Sequence, residues 1–94
     1  MYDEAMNEGD VLAKMSRYVI LRAKNDQIEI KVCEVIAGKA LNRYVAIPDL
    51  YLTSGKPEFF GAGNSEKEAL MDCLRRIRNH SFEEVFDRPR QQEH

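Results

Sequence analysis

Two closely spaced turn signals constrain this chain more than any other feature of its sequence. Asn25-Asp26 follows a segment rich in apolar and β-branched residues, and both residues tolerate the positive φ angles of a two-residue hairpin turn. Gly38-Lys39 places a glycine at the first central position, which suits a type II′ turn. The sequence therefore predicts three antiparallel strands joined by two tight hairpins, with residues 27–36 in the centre.

Tight turns at these positions determine which side chains share a face of the sheet. The first turn pairs Leu21 with Ile30, and the second pairs Val32 with Val45. Because side chains alternate across a strand, both registers direct one apolar set to the same side. The predicted core face consists of Val19, Leu21, Ile28, Ile30, Val32, Val45 and Ile47. Pro48 has no N–H to donate and is expected to end the third strand.

The clearest helix signal follows a long connection. Ser65 and Glu68 have the spacing of a capping box. Apolar residues then recur at helical spacing along one side, at Ala69, Leu70, Cys73, Leu74 and Ile77. Ser81 and Glu84 repeat the capping pattern and predict a short terminal helical turn. The expected fold class is therefore α+β, a three-stranded antiparallel meander with one long C-terminal helix packed on one face.

The two ends of the chain differ from its middle in charge and in apolar content. Residues 1–16 carry four acids before their first base, and they are expected to form a loose acidic arm. A short helix capped by Asp10, through Val11, Leu12 and Met15, is the alternative for this segment. Residues 17–87 are expected to form a single α+β domain. Residues 88–94 contain Pro89 and no apolar anchor, which is typical of a disordered tail.

Composition and spacing argue against most chemistry. Two histidines and two cysteines do not supply the four clustered ligands of a zinc site, and the neighbouring acids lie in first helical turns, where acids are electrostatically favoured. We therefore expect no enzyme activity, no metal and no cofactor. Cys33 and Cys73 are expected to stay reduced, which favours a cytoplasmic protein. No apolar run approaches the ~20 residues that a membrane span needs.

The second face of the predicted sheet is only partly polar. The two registers place Tyr18, Cys33 and Tyr44 in one row across the strands, and Ile20, Lys31 and Ala46 in the next. Uncovered apolar surface of this kind usually marks a partner site. The leading expectation is an interaction module that binds a protein partner or itself through these six residues. The other interpretation is that the N-terminal arm or the segment with Phe82 and Phe86 covers them.

The same surface has an alternative interpretation as a nucleic-acid site. Tyr18 and Tyr44 would stack on bases, as the aromatic residues of sheet platforms do. The basic residues that would contact phosphates are Arg22, Lys24, Lys31, Arg75, Arg76 and Arg78. A net charge of −2 makes this alternative the weaker one, because dedicated nucleic-acid binders carry a basic excess.

Two short motifs resemble the HicB-type antitoxin domain, and the resemblance covers residues 18–78. Residues 47–50, Ile-Pro-Asp-Leu, are similar to the Pro-Asp-Leu with which that family ends a strand. Residues 63–70, Gly-Asn-Ser-Glu-Lys-Glu-Ala-Leu, are similar to its Gly-Asp-Thr-x-x-Glu-Ala-Leu helix start. Tyr51 stands where the family has Pro-Gly. The resemblance implies a three-stranded sheet with a helix, and an antitoxin-like regulator that binds a toxin protein.

A second resemblance is to the double-stranded-RNA-binding fold. The chain is similar to its Gly-x-Gly-x-Ser-Lys-Lys-x-Ala-Lys signature at Gly61, Gly63, Ser65, Lys67 and Ala69. Glu66 and Leu70 replace two of the three lysines with which that family binds RNA phosphates. This resemblance therefore implies a shared scaffold whose RNA-binding surface has been lost.

Overall fold

The computed structural model describes residues 2–22, 26–50 and 53–86, which form an antiparallel sheet with a helix packed on one face. The strands are β1 (Leu12–Leu21), β2 (Gln27–Ala37), β3 (Tyr44–Leu50), β4 (Thr53–Ser54) and β5 (Gly61–Gly63). The helices are α1 (Glu66–Ile77) and α2 (Phe82–Phe86), and 3₁₀ turns lie at Tyr2–Ala5 and Pro57–Phe59. The predicted α+β class is confirmed.

The sheet is four strands wide, one more than the sequence predicted. β1, β2 and β3 are neighbours in chain order. Along the other edge of β3, β4 pairs with Asp49 and Leu50, and β5 pairs with the segment from Tyr44 to Ala46. The two short segments therefore share the fourth position, because the connection after β3 runs back along this edge before it enters α1.

Pro48 lies inside β3, so the expectation that it ends the third strand is wrong. The N–H of Gly55 donates to the carbonyl oxygen of Pro48 at 2.7 Å, so the backbone of Pro48 faces the edge of β4 and β5 rather than β2. The missing N–H of Pro48 therefore removes no hydrogen bond between β2 and β3. Its ring is fully buried in the core.

The first hairpin has a different register from the predicted one. Cys33 lies opposite Met15 rather than Tyr18, which is a shift of three residues along β1. The connection 22–26 is longer than a two-residue turn, and a backbone hydrogen bond of 2.8 Å joins its ends. Asn25, half of the predicted turn, lies outside the described residues. Because the shift is an odd number of residues, every side chain of β1 lies on the face opposite to the predicted one.

The second hairpin also has a shifted register. Val32 lies opposite Ala46, one residue beyond its predicted partner. A wide loop replaces the tight turn at 38–39, and it is closed by the N–H of Val35, which donates to the carbonyl oxygen of Arg43 at 2.8 Å. This shift is odd as well, so the side chains of β3 also change face.

The two shifts alter the composition of both faces of the sheet. The inner face, which packs against α1, keeps the predicted core residues Ile28, Ile30 and Val32. In β1 and β3 the inner face carries Tyr18, Ile20, Tyr44 and Ala46. The predicted core residues Val19, Leu21, Val45 and Ile47 lie instead on the outer face, which is the opposite side of the sheet. Their assignment to the core is therefore wrong.

α1 begins at the predicted capping box and closes the core over the inner face. The hydroxyl of Ser65 accepts a hydrogen bond of 3.1 Å from the N–H of Glu68. The buried side of α1 consists of Ala69, Cys73 and Ile77, as its apolar spacing predicts. α2 begins at the second capping box, and its Val85 and Phe86 complete the core.

Two glycines in β5 allow α1 to lie directly on the sheet. A Cβ at Gly61 would lie 2.8 Å from the Cα of Cys73, and closer still to the backbone nitrogen of Cys73 and the carbonyl oxygen of Ala69. A Cβ at Gly63 would likewise collide with the first turn of α1. Only glycine therefore fits at positions 61 and 63, where β5 lies against α1.

The N-terminal segment differs from the predicted arm. β1 begins at Leu12, so the alternative of a short helix capped by Asp10 is wrong. Pairing of β1 with β2 as far as Ala37 outweighs the weak helical pattern, because local propensity yields to strand pairing along a whole edge. The predicted tail, residues 88–94, lies outside the described residues.

Candidate protein-interaction surface

The six residues predicted to form one interaction surface lie on both faces of the sheet. Lys31 and Cys33 are on the outer face, and the other four, Tyr18, Ile20, Tyr44 and Ala46, are on the inner face. Ala46 is fully buried, and Ile20 and Tyr44 pack against the core. The predicted rows do not exist, because each was derived from a register that is shifted by an odd number of residues.

Both tyrosines of the predicted surface are hydrogen-bonded to carboxylates of the same chain. The hydroxyl of Tyr18 donates to Glu66 in the first turn of α1, and the hydroxyl of Tyr44 donates to Glu34 at 3.1 Å. The hydrogen bond to Glu66 raises the pKa of Tyr18, and desolvation raises the pKa of Tyr44. Carboxylates beside both rings repel phosphates, so this arrangement is a poor platform for nucleic-acid bases.

Two of the basic residues predicted to contact phosphates, Arg22 and Arg76, make contacts within the chain instead. The guanidinium of Arg22 donates to the carbonyl oxygen of Ile77, the last residue of α1, at 3.0 Å, and to that of His80 in the connection after α1. A cation at this end of a helix is favoured by the helix dipole. Arg76 pairs with Asp72 at 3.2 Å. Arg75 and Arg78 are exposed, and Lys24 lies outside the described residues.

One half of the outer face is apolar. This apolar patch consists of Met15, Cys33, Val35, Val45 and Ile47, which are neighbours across β1, β2 and β3. α1 and α2 pack on the opposite side, and no other described helix or strand lies over the patch. Sheets usually bury an apolar face against a second layer, so this patch is a candidate contact surface.

The other half of the outer face is a cluster of paired charges. Arg17 donates to the carboxylate of Asp49 at 3.0 Å, and the ammonium nitrogen of Lys31 lies 3.9 Å from the same carboxylate. Glu29 lies 3.9 Å from Arg17. A shallow cleft of about 350 Å³ opens beside these groups. Both carboxylates beside the cleft therefore have cationic partners.

β1 is a long edge strand, and its side chains on the outer face are unusually exposed. Its ten residues pair with β2 along one side, and in the described part of the chain nothing pairs along the other. The residues of β1 whose side chains lie on the outer face, here called the β1 edge row, are Met15, Arg17, Val19 and Leu21. Met15 and Val19 are each 51% exposed and Leu21 is 75% exposed.

The backbone N–H and C=O groups of the same four residues point away from β2, toward the open edge of the sheet. The N–H of Arg22 donates across the hairpin to the carbonyl oxygen of Asp26, which makes these two residues a hydrogen-bonded pair. Such pairs alternate along an antiparallel ladder, so the even-numbered residues of β1 bond to β2. The N–H and C=O groups of the odd-numbered residues therefore face the open edge.

Sequence reasoning missed the β1 edge row as a surface. It assigned Val19 and Leu21 to the core, because apolar residues occupy both alternations of β1 and leave its buried side ambiguous. A usable signal was the set of small residues Ala46, Gly61 and Ala69, which identifies the side of the sheet that a helix approaches closely.

Comparison with known proteins adds no family to this description. No protein-family profile, no curated protein and no solved structure matches the chain. Within residues 2–22, 26–50 and 53–86, no group of three His, Cys, Asp or Glu side chains is placed to hold a metal ion. None of the helices described there has the length and apolar content that would let it cross a membrane.

Proposed function

We propose that this protein is a non-enzymatic protein-interaction module that binds an extended strand of its partner along the β1 edge row. The observation that carries this proposal is the concentration of exposed large apolar side chains on one strand: Leu12, Met15, Tyr18, Val19 and Leu21. Addition of a strand to such an edge satisfies its backbone groups and covers its side chains in one step.

The energetics of the edge support binding. Natural edge strands are usually short, interrupted by proline or covered, and β1 is ten residues long without proline. Full burial of a Val, Leu or Met side chain contributes about 1.5–3 kcal/mol. Met15, Val19 and Leu21 are exposed by half or more, so covering them contributes roughly 3 kcal/mol in total. Backbone hydrogen bonds to the partner strand add to this contribution.

The arrangement favours a protein over a nucleic acid as the partner. The β1 edge row has one charged residue, Arg17, and Asp49 already neutralises it. Tyr18 and Tyr44, the candidate stacking residues, are bonded to carboxylates. A nucleic-acid site would need unpaired cations and accessible rings on the same face. RNA titration at low salt tests this alternative, and we expect no binding.

The family resemblances agree with this class of function. The meander of β1, β2 and β3 and the later capped helix support a HicB-type scaffold, although β4 and β5 lie between them in this chain, and that family's implied activity is the binding of a toxin protein. The same order supports a scaffold of the double-stranded-RNA-binding type. Glu66, which stands where that type has a lysine, here accepts the hydroxyl of Tyr18. The two thiols are unpaired, which favours the cytoplasm as the compartment.

The proposed function is tested by affinity capture with matched baits from cells that express the protein. Val19→Pro deletes one outward N–H and no bond to β2, so it blocks strand addition while leaving the sheet paired. Met71→Glu replaces a side chain that is 43% exposed on α1 and not on β1, and it serves as the control. We expect the unaltered protein and Met71→Glu to retain a common protein that Val19→Pro loses.

The capture experiment has a clear contrary result. If Val19→Pro retains every bound protein at the level of the unaltered chain, the β1 edge row is not the binding surface. Circular dichroism of each bait verifies that the variants are folded before they are compared.

A further inference from the structure

We infer that the strand that adds to β1 carries an acidic side chain opposite Lys14 and apolar side chains opposite Met15, Val19 and Leu21. The partner is therefore an extended acidic segment of a protein, rather than a neutral or a basic one. The inference rests on the proposed function, because it specifies the chemistry of the strand that binds at the same edge.

The edge itself is positively charged, since residues 14–24 carry four bases and no acid. Arg17 is neutralised by the carboxylate of Asp49 at 3.0 Å, and Arg22, just beyond β1, donates to the last carbonyl oxygen of α1. Lys14 is exposed, and no carboxylate of the described residues pairs with its ammonium group. Of the two cations within β1, Lys14 is therefore the one that a partner has to neutralise.

The neighbour of Lys14 within the sheet does not supply this anion. Glu34 lies opposite Lys14 in the register. Its carboxylate, however, lies 3.4 Å from the guanidinium of Arg43 and accepts the hydroxyl of Tyr44 at 3.1 Å. Both contacts are on the β3 side of β2, so the carboxylate of Glu34 is turned away from β1. The open edge is therefore the side from which a carboxylate can reach Lys14.

The backbone geometry places Lys14 close to the residue that it would face. The outward N–H and C=O groups belong to odd-numbered residues, so an antiparallel strand would form a non-hydrogen-bonded pair with each even-numbered residue. In such a pair the Cα atoms lie about 4.5 Å apart, and the side chains are closer than in a hydrogen-bonded pair. Opposite charges at this spacing stabilise the pairing, and like charges weaken it. The edge therefore discriminates by the sign of the charge opposite Lys14.

The carboxylate of Glu66 restricts the acidic position to this end of β1. Glu66 accepts the hydroxyl of Tyr18, and the hydroxyl of Ser16 lies 3.4 Å from it. An added acid would be repelled beside these two residues. Lys14 is four residues from Tyr18, about 13 Å along the strand, which exceeds the ~8 Å screening length at physiological ionic strength. We therefore expect the acid opposite Lys14 and uncharged residues opposite Ser16 and Tyr18.

The outer side of the added strand is expected to be apolar. The residues that flank its acid point to the outer face, because side chains alternate along a strand. There they cover Met15 and Val19, each 51% exposed, and Leu21, which is 75% exposed. Arg17 is held by Asp49 and requires no second acid. The partner strand therefore combines one acid on its inner side with apolar residues on its outer side.

Fluorescence anisotropy with labelled synthetic peptides tests this chemistry. The probe is a peptide in which Val alternates with Thr, and one Glu replaces the Thr that would lie opposite Lys14. Two matched peptides have Gln or Lys at the same position. We expect the Glu peptide to bind about three- to tenfold more tightly than the Lys peptide, with the Gln peptide between them. Ordering of a free peptide offsets part of the binding energy, so the titrations extend to ~1 mM.

Charge reversal in the protein is the second arm of the test. We expect Lys14→Glu to reverse the order of the Glu and Lys peptides, and Lys14→Gln to remove the difference between them. Lys67→Glu is the matched control, because it makes the same change of charge at an exposed position of α1 and should leave the order unchanged. Added salt should narrow the difference between the peptides. Circular dichroism verifies that each variant is folded.

Three results would overturn the inference. They are binding of none of the peptides, equal binding of the Glu and Lys peptides, and tighter binding of a peptide that copies residues 14–22 of this chain, which would make a second copy the partner. If Val19→Pro loses its captured protein while the peptides bind equally, the proposed function stands and only the acidic partner is refuted. If neither capture nor peptide binding depends on Val19, both proposals fail.

Discussion

Replacement of Gly61 by alanine should destabilise the fold by pushing α1 away from the sheet. The new Cβ would lie 2.8 Å from the Cα of Cys73, whereas carbon atoms in ordinary contact lie about 3.5–4.0 Å apart. The colliding atoms belong to the helix backbone, so no rotamer change relieves the contact and α1 must move by roughly 1 Å. Movement of that size loosens the packing of Ala69, Cys73 and Ile77 on the inner face.

The magnitude follows from the cost of overpacking. Extra methylenes in a close-packed site typically cost about 1–3 kcal/mol, and a backbone collision belongs at the upper end, at about 3 kcal/mol. A domain of this size has about 5–14 kcal/mol of stability in total, so Gly61→Ala removes a large share of it. Each kcal/mol lowers the melting temperature of such a domain by about 4–8 °C, which predicts a fall of about 12–24 °C.

Urea unfolding followed by circular dichroism measures this loss. Ala62→Val is the matched control, because Ala62 is the neighbouring residue on β5 and pairs with Val45, whose side chain lies on the outer face. We expect the control to change the free energy of unfolding by less than about 0.5 kcal/mol. If Gly61→Ala unfolds within that same margin of the unaltered protein, α1 does not lie directly on β5. If Gly61→Ala fails to fold, the free energy of unfolding of Gly63→Ala tests the same close approach of α1 to β5.

Three further outcomes follow from the structure. Burial raises the pKa of the Cys73 thiol to about 12, so we expect iodoacetamide to label Cys33 in the native protein and Cys73 only after unfolding. The N–H of Ala62 lowers the pKa of Asp72 below 3.8, so the stability it contributes is complete above that pH and is lost as the pH falls through the lower folded value. We expect Asp72→Asn to flatten this acid dependence in urea titrations. Arg22→Met should cost about 1–2 kcal/mol of unfolding free energy, because the end of α1 loses its cation.

The parts of the fold that were predictable are those encoded by local chemistry. The capping boxes at Ser65 and Ser81 satisfy N–H groups within four residues, so their spacing alone locates both helices. The strands around Ile30 were predictable in the same way, because alternation over a long segment is a local property. Strand order followed from the short distance along the chain between successive strands.

The registers were not predictable from the same evidence. A register shift of one or three residues leaves the strand assignment intact and moves every side chain of the shifted strand to the opposite face. Tyr18 and Ile20 compete with Val19 and Leu21 for the core with nearly equal apolar content, so composition does not choose between them. Burial by α1 decides the choice, and α1 is distant in sequence. The predicted interaction residues of β1 and β3 were therefore assigned to the wrong face of the sheet.

The position of Pro48 has a consequence for how far such chains assemble. The edge of the sheet opposite β1 is formed by two short strands, β4 and β5. Between them lies Pro48 of β3, which has no backbone N–H to donate. Growth of fibres needs two complementary open margins on each molecule, and this molecule has one of them interrupted. We therefore expect strands to add along β1 and not along the opposite margin, so filaments are not expected to form.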